Sequence, residues 1–428
     1  MEKQAQQVAS IVYALNRNTV PTIGSVKKKV NIIFQNQTTI SNGYVALAPF
    51  RSEFQLTPEQ NSFDLGSLPW HEQLAIHEYR HVEQYNNLRV GLSKAFYYIF
   101  GESGQAFANS LSLPNWFWEG DAVFQETLVS KQGRGRLPFF FNGYRSLWAG
   151  NKNYSFLKLR NGSLRDFVPD HYPLGYMLVA YGREKFGDDF WRKAAHDAAA
   201  FSGLFYPLQT AIKKYSGLSF AQFRRDALNY FSTQVKKDIR TDSSAIYARD
   251  HKHFVSSEEF PQWIDHNSMV MVSSSYKKNP AFIIYHVITG KKEFIKTRAI
   301  SLDNYFSYRN HKIVYAAYEP DLRWNWRDYS VIRVLDMRSK KDKRITSRSK
   351  YFAPDISDDG LHVVAVNVTV NGGSQLHLLN SKTGNIEKVV PNEEHLFYTY
   401  PRFYDNKHVI SAVRNQQGEM ALGIFNII

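Results

Sequence analysis

The sequence predicts two unlike parts: an α+β domain over residues 1–244, mostly helical with a small N-terminal sheet, and an incomplete all-β domain of propeller type over 245–428. Three observations predict this. Apolar residues recur at helical spacing through much of the first part. Beyond the polar stretch Arg240-Thr241-Asp242-Ser243-Ser244 the pattern changes to short alternating strands and turns. That second part also repeats: Pro354 and Pro401 are 47 residues apart, Ser307 lies 47 before Pro354, and Thr289-Gly290 and Thr383-Gly384 are two such periods apart. A period in the mid-forties with about four strands per unit is the mark of a propeller blade.

From the N-terminus, Met1-Glu2-Lys3-Gln4 lacks a basic leader, and Val8 to Leu15 is short and flanked by polar residues. It reads as an amphipathic helix rather than a signal peptide. Ile40 to Ala48 reads as an edge strand ended by Pro49. Within it, Asn42, Gly43 and Tyr44 are candidate substrate contacts, although the strand carries no acid that could hold a substrate amine. Ser67 is placed to cap the next helix, with Pro69 in its first turn and Asn86, Asn87 and Gly91 marking its exit.

That helix carries His77-Glu78-Tyr79-Arg80-His81. Histidines four apart share one helix face and can grip one zinc ion, with Glu78 placed to take a proton from a zinc-bound water. The bland reading is a helix with two ordinary histidines paired to Glu72 or Glu83. A third ligand must come from elsewhere. Gln84 and Asn87 stand where one zinc-protease group needs Gly and His, which excludes that group. The other common solution is a glutamate on a second helix. After an aromatic- and glycine-rich insertion, Gly91 to Ser112, the segment from Trp116 to Glu126 supplies Glu119, with Asn115 as the expected N-cap. Glu126, seven residues on, faces the same way and can receive the second ring N–H of a ligand histidine. Glu102 is the alternative ligand, but Gly101-Glu102-Ser103-Gly104 reads as a loop.

The pair His77–His81 with Trp-x-x-Glu119-Gly-x-Ala-x-x-x-Glu126 resembles the glutamate zincins, the peptidase superclan of thermolysin and the aminopeptidase-N type. Asp170-His171-Tyr172-Pro173-Leu174-Gly175, opening a helix through Phe186, is similar to that family's Tyr-x-x-Gly. The resemblance implies one zinc per chain on His77, His81 and Glu119, Glu78 as general base, and Tyr172 as the hydroxyl that stabilises an oxyanion, with His171 as the alternative donor. The gap of 38 residues from His81 to Glu119 is longer than in the aminopeptidase-N type, and the Gly-x-Met-Glu-Asn element of aminopeptidases is absent. The expectation is therefore a zinc endopeptidase acting on peptide or protein. Its rivals are a zinc hydrolase of non-peptide amides or esters, and a degenerate-site scaffold.

In the repeats, Phe260 to Ser273, Tyr305 to Tyr318, Phe352 to Val366 and Tyr400 to Val413 align as blade openings. Pro354-Asp355-Ile356-Ser357-Asp358-Asp359-Gly360 resembles the blade motif of TolB-type propellers. This implies substrate access control or a protein partner for the propeller, and a cell-envelope or secreted location. The last strand, Ala421 to Ile428, comes before a fourth blade would be complete, so a longer natural protein is expected.

Bulk composition narrows the rest. Net charge is +14, yet no nucleic-acid motif is present, and the basic run Arg338 to Lys350 reads as a solvated turn. There is no cysteine, hence no disulfide and no thiolate ligand. No stretch is apolar enough for a membrane helix.

Overall fold

The computed structural model describes residues 1–18, 21–60, 66, 68–236 and 253–427. Helix α1 (Glu2–Asn18) packs Val8 and Leu15 against the first sheet and the next helix. That sheet has the order β1-β3-β2, from β1 (Asn31–Gln35), β2 (Gly43–Ala46) and β3 (Arg51–Gln55). Strand β3 runs parallel to β1 and antiparallel to β2, with Gly43 opposite Phe54, so β2 is left as an edge.

Helix α2 (Trp70–Asn87) carries both histidines on a largely buried face. Pro69 stands at its N-cap rather than in its first turn, and Ser67, the expected cap, lies outside the described residues. The insertion is helical rather than loop-like. It forms α3 (Gly91–Ser112), broken once at Gly101, where φ is +65°. Its two arms cross closely because Gly104 has no side chain; a Cβ there would meet the Phe96 carbonyl at 2.2 Å.

Helix α4 (Asn115–Val129) starts one residue earlier than an Asn115 cap would give, with Pro114 at the N-cap. Four short helices intervene before the next long one: 3-10 turns at Arg134–Arg136 and Pro138–Phe141, then α5 (Asn142–Ala149) and α6 (Phe156–Asn161). Helix α7 (His171–Phe186) is capped by Asp170, whose carboxylate accepts the Tyr172 N–H at 2.9 Å. Helices α8 (Phe190–Ala199), α9 (Pro207–Ser216) and α10 (Phe220–Lys236) complete the helical core around Trp116, Phe117, Met177 and Trp191.

Two glycines decide how α4 and α7 meet. A Cβ on Gly175 would lie 1.9 Å from the Trp116 carbonyl oxygen, and one on Gly120 would lie 2.2 Å from the Gly175 carbonyl carbon. Only bare backbones fit there, so the helices cross at close range and the residues beside the glycines, Glu119 and Tyr172, come to one place.

The boundary expected at 244/245 and its polar linker lie outside the described residues. From Ser256 the chain is all β. The first blade is β4 (Ser256–Asp265), β5 (Ser268–Ser275), β6 (Lys278–His286) and β7 (Lys292–Thr297). The second is β8 (Phe306–Arg309), β9 (Lys312–Pro320), β10 (Asp328–Asp336) and β11 (Asp342–Arg344). The third is β12 (Tyr351–Ile356), β13 (His362–Val368), β14 (Ser374–Asn380) and β15 (Ile386–Val389). The fourth has three described strands, β16 (Phe397–Phe403), β17 (His408–Arg414) and β18 (Met420–Asn426). Each sheet is an antiparallel meander, giving a propeller-like β domain.

The repeat has a physical counterpart in the first strand of three of the four blades. Pro261, Pro354 and Pro401 cannot donate to the ladder, and at each the register shifts by a bulge. The preceding residues, Phe260, Ala353 and Tyr400, all have φ near +50° (53°, 46° and 48°). The second blade has Ser307 instead, and its register runs unbroken. Nearby side chains then staple neighbouring blades: the Gln262 amide donates to the Phe306 carbonyl at 2.6 Å, and Asp355 accepts from the Ser307 hydroxyl at 2.5 Å and the Phe403 N–H at 2.8 Å.

The propeller grips the helical part by the loop between β1 and β2. The buried Asp328 carboxylate accepts from the Thr38 hydroxyl at 2.7 Å and from the Thr39 N–H and hydroxyl. The Lys350 ammonium donates to the Asn36 carbonyl at 2.7 Å and the Thr38 carbonyl at 2.9 Å.

Candidate metal centre and active site

One turn of α2 sets His77 and His81 side by side, with Nε2 atoms 3.2 Å apart. Glu119 of α4 brings Oε2 to 3.3 Å from the first and 3.5 Å from the second. The three ligand atoms lie within 4.8 Å of one another, and they form the one cluster of this kind among the described residues. Each ring is turned by its other nitrogen. His77 Nδ1 lies 2.6 Å from Glu126 Oε1, and His81 Nδ1 lies 2.7 Å from the Gln84 side-chain oxygen. When those Nδ1 atoms carry the protons, both Nε2 lone pairs face one point together with a carboxylate oxygen. Such a set is repulsive unless a cation sits between. These donors fit a divalent metal of the zinc type.

The electrostatics show the same shortage of positive charge. Burial pulls the His77 imidazole down, but Glu119 and Glu126 outweigh it and hold its pKa up at about 10. Burial would raise Glu119, yet the two imidazoles hold it far below the carboxylate range. Burial would raise Glu126 too, but Arg134 and His77 hold it down at about 2.

Glu78 lies beside this cluster and is treated differently. It is buried, and its Oε2 has no hydrogen-bond partner. Burial pushes its pKa up, against the opposing pull of His77 and His81. Gly43 of the edge strand makes room for it: a Cβ there would meet Glu78 Oε1 at 2.9 Å. A cleft of about 350 Å³ joins these parts, lined by His77, Glu78, His81, Glu119 and Tyr172 with Asn42, Gly43 and Tyr44 along one wall. The expected site residues are thus brought together, with Glu126 behind His77. The Tyr44 ring also lies 6.0 Å from the Arg51 guanidinium.

Glu102 is elsewhere: it accepts the Ala48 N–H at 2.8 Å, which leaves Glu119 as the acid at the histidines. The His171 ring nitrogen pairs with Asp170 at 3.2 Å. Burial, then Glu119, push the Tyr172 hydroxyl pKa up, so it is a proton donor at neutral pH.

Two functional residues escaped the sequence. Arg134 is buried against Glu126, donating at 3.1 Å through Nε and at 2.5 Å through a terminal nitrogen, with its guanidinium 5.3 Å from the Tyr172 ring. An arginine in a short glycine-flanked stretch gives no periodic signal. In the sequence Gln84 marks only a missing glycine, yet its amide bridges His81 to Asp121, donating to Asp121 at 2.9 Å, and Asp121 in turn accepts from Arg80 at 2.7 Å. Spacing held a clue, since Arg80 and Gln84 share one helical face.

No protein-family model matches the chain, and no curated protein matches it. Among solved structures, TolB from Acinetobacter baumannii aligns at 18% identity and a TM-score of 0.32, over 40% of this chain and 41% of that one. The β-propeller domain of the Trilobed protease from Pyrococcus furiosus aligns at 13% and 0.27, over 40% and 55%. An acylaminoacyl peptidase from Pyrococcus horikoshii aligns at 11% and 0.24, over 40% and 33%. The chain thus spans little over half, at most, of each of these three. The second part is a propeller-like β domain. Its own four antiparallel sheets, three of them with the same bulge in the first strand, make it so.

Proposed function

We propose that the chain is a zinc-dependent peptidase of the glutamate-zincin type, with His77, His81 and Glu119 holding one metal ion. The observation that carries this is the convergence of two imidazole nitrogens and a carboxylate oxygen beside a buried carboxylate with an unpartnered oxygen. Zinc bound there would supply a Lewis acid that polarises a carbonyl and makes a water acidic near neutral pH. Glu78 Oε2 takes the proton of the attacking water and returns it to the leaving amine nitrogen; its raised pKa suits both transfers. The Tyr172 hydroxyl donates to the developing oxyanion. Glu126 and Arg134 hold the His77 ring, and Gln84 holds that of His81.

The edge position of β2 favours a peptide substrate, because an extended chain can pair with its free side along the cleft wall. With no acid on that wall to hold a free amine, the reading is endopeptidase. The propeller's role in substrate access or partner binding, and an envelope or secreted location, belong to the same proposal.

The test is metal content per chain by mass spectrometry on protein purified without added metal or chelator, followed by a peptide-library digest. About one zinc, lost in Glu119→Ala, together with cleavage that a chelator abolishes, is expected. Protein that neither carries nor takes up metal would overturn the reading. Metal without cleavage of any peptide would move the substrate to non-peptide amides or esters.

A further inference from the structure

Two exposed protrusions remain unused by this chemistry, one bonded to the turn after β2 and one adjoining the residue that holds the loop before it. The first is the tip of α3. Tyr98, Ile99 and Phe100 are 73%, 69% and 62% exposed there, and Phe107 and Leu111 are exposed on the second arm. The Lys94 nitrogen lies 5.8 Å from the Tyr98 ring, and the Arg89 guanidinium 3.6 Å from that of Tyr97. The tip meets the β2–β3 turn through Glu102, the one acid of α3, which is spent on the Ala48 N–H.

The second is the loop between β9 and β10, Leu322-Arg323-Trp324-Asn325-Trp326-Arg327. Leu322 is fully exposed, and both tryptophans are more than half exposed. The loop is ordered from within: Asp321 accepts the N–H groups of Arg323 at 2.9 Å and Trp324 at 3.1 Å and the Tyr329 hydroxyl at 2.8 Å, and the Arg327 N–H donates to the Trp324 carbonyl at 3.0 Å. Asp328, next in the chain, is the residue that holds Thr38 and Thr39 just before β2.

Both protrusions have one composition: outward aromatic and aliphatic side chains, cations beside them, and acids consumed internally. They suit a deformable apolar layer under anionic headgroups, where tryptophan and tyrosine settle at the interface and lysine and arginine meet phosphate. The chain's net charge of +14 has the same sign. We infer that the protein docks peripherally on an anionic lipid bilayer through the α3 tip and the Leu322–Arg327 loop, setting the β2 cleft close to the membrane surface.

Vesicle co-sedimentation of the full chain tests this, with no turnover read, so failure of the peptidase reading leaves it standing. The wild-type chain is expected to bind vesicles of phosphatidylcholine containing roughly a third phosphatidylglycerol, weakly to phosphatidylcholine alone, and less as salt rises. Ile99→Ser/Phe100→Ser and Leu322→Ser/Trp324→Ser should each lower the partition coefficient by about tenfold or more. Unchanged melting temperatures would show that both variants remain folded, as expected for exposed positions. Absence of wild-type binding would overturn the inference. So would binding that both variants retain in full, which would assign it to diffuse basic charge, or a loss confined to one variant, which would remove the two-point contact.

Discussion

Glu78 and Glu119 are both buried glutamates at one site, and their surroundings drive them apart. Glu119 faces two imidazoles and is held ionised; Glu78 has an orphan oxygen and a raised pKa. On the proposed reading one is an anionic ligand, the other a proton carrier. Glu78→Gln is therefore expected to keep the metal and the fold while kcat falls about a hundredfold or more. Turnover at the wild-type rate would rule out Glu78 as base. Tyr172→Phe removes only a hydroxyl and should lower kcat roughly a hundredfold with KM and metal content little changed. An unaltered kcat would take Tyr172 out of the reaction. Both residues were legible in the sequence because each stands in a fixed spacing to a histidine or glycine. Arg134 was not, because its partnership with Glu126 depends on a turn whose path no local pattern encodes.

Among the elements, the crossing of α4 and α7 carries the site. Glu119-Gly120 and Tyr172-x-x-Gly175 are two motifs in sequence and one object in space, since each glycine makes room for the other helix's backbone. Gly175→Ala would force a methyl group against the Trp116 carbonyl. It should destabilise the fold by about 3 kcal/mol or more and separate Glu119 from Tyr172. A melting temperature and kcat both equal to wild type would show that the crossing tolerates separation. The α3 insertion teaches the opposite lesson. Glycines at 101 and 104 suggested a loop, but only Gly101 breaks the helix, while Gly104 permits the close return of the second arm. A glycine signals freedom of backbone or nearness of a neighbour, and sequence alone does not say which.

At the level of the whole molecule, the propeller is bonded to the loop that leads into the strand lining the cleft. Asp328→Ala would leave Thr38 and Thr39 without their acceptor at a buried interface and should cost about 2–4 kcal/mol. Denaturant unfolding at matched pH measures it, and an unchanged midpoint would show that the contact contributes nothing. A second device at this interface responds to pH. His71 lines a cleft between the helical part and the propeller, its ring nitrogen 3.0 Å from the Gln7 side-chain oxygen; burial, then Arg414 and Lys3, push its pKa down to about 4. The unfolded chain takes up that proton near pH 6.5 and the folded chain only near 4. Stability from this group is complete above about 6.5 and falls as pH drops toward 4, by up to about 3 kcal/mol. His71→Gln should flatten that part of the stability–pH curve; an identical slope in the variant would place the titration elsewhere.

The sequence by itself determined the histidine pair, the glutamate beside it, the glutamate helix, the tyrosine helix and the blade period, because each is a local spacing that helix or strand geometry converts directly into a shared face. Only the tertiary structure decided between Glu102 and Glu119, turned two distant glycines into one crossing, and brought Arg134 to Glu126 and Gln84 to the His81 ring nitrogen. It also set the propeller on the β1–β2 loop. These are contacts between residues far apart in the chain. Their cause is the close packing of whole elements, to which spacing along the sequence is blind.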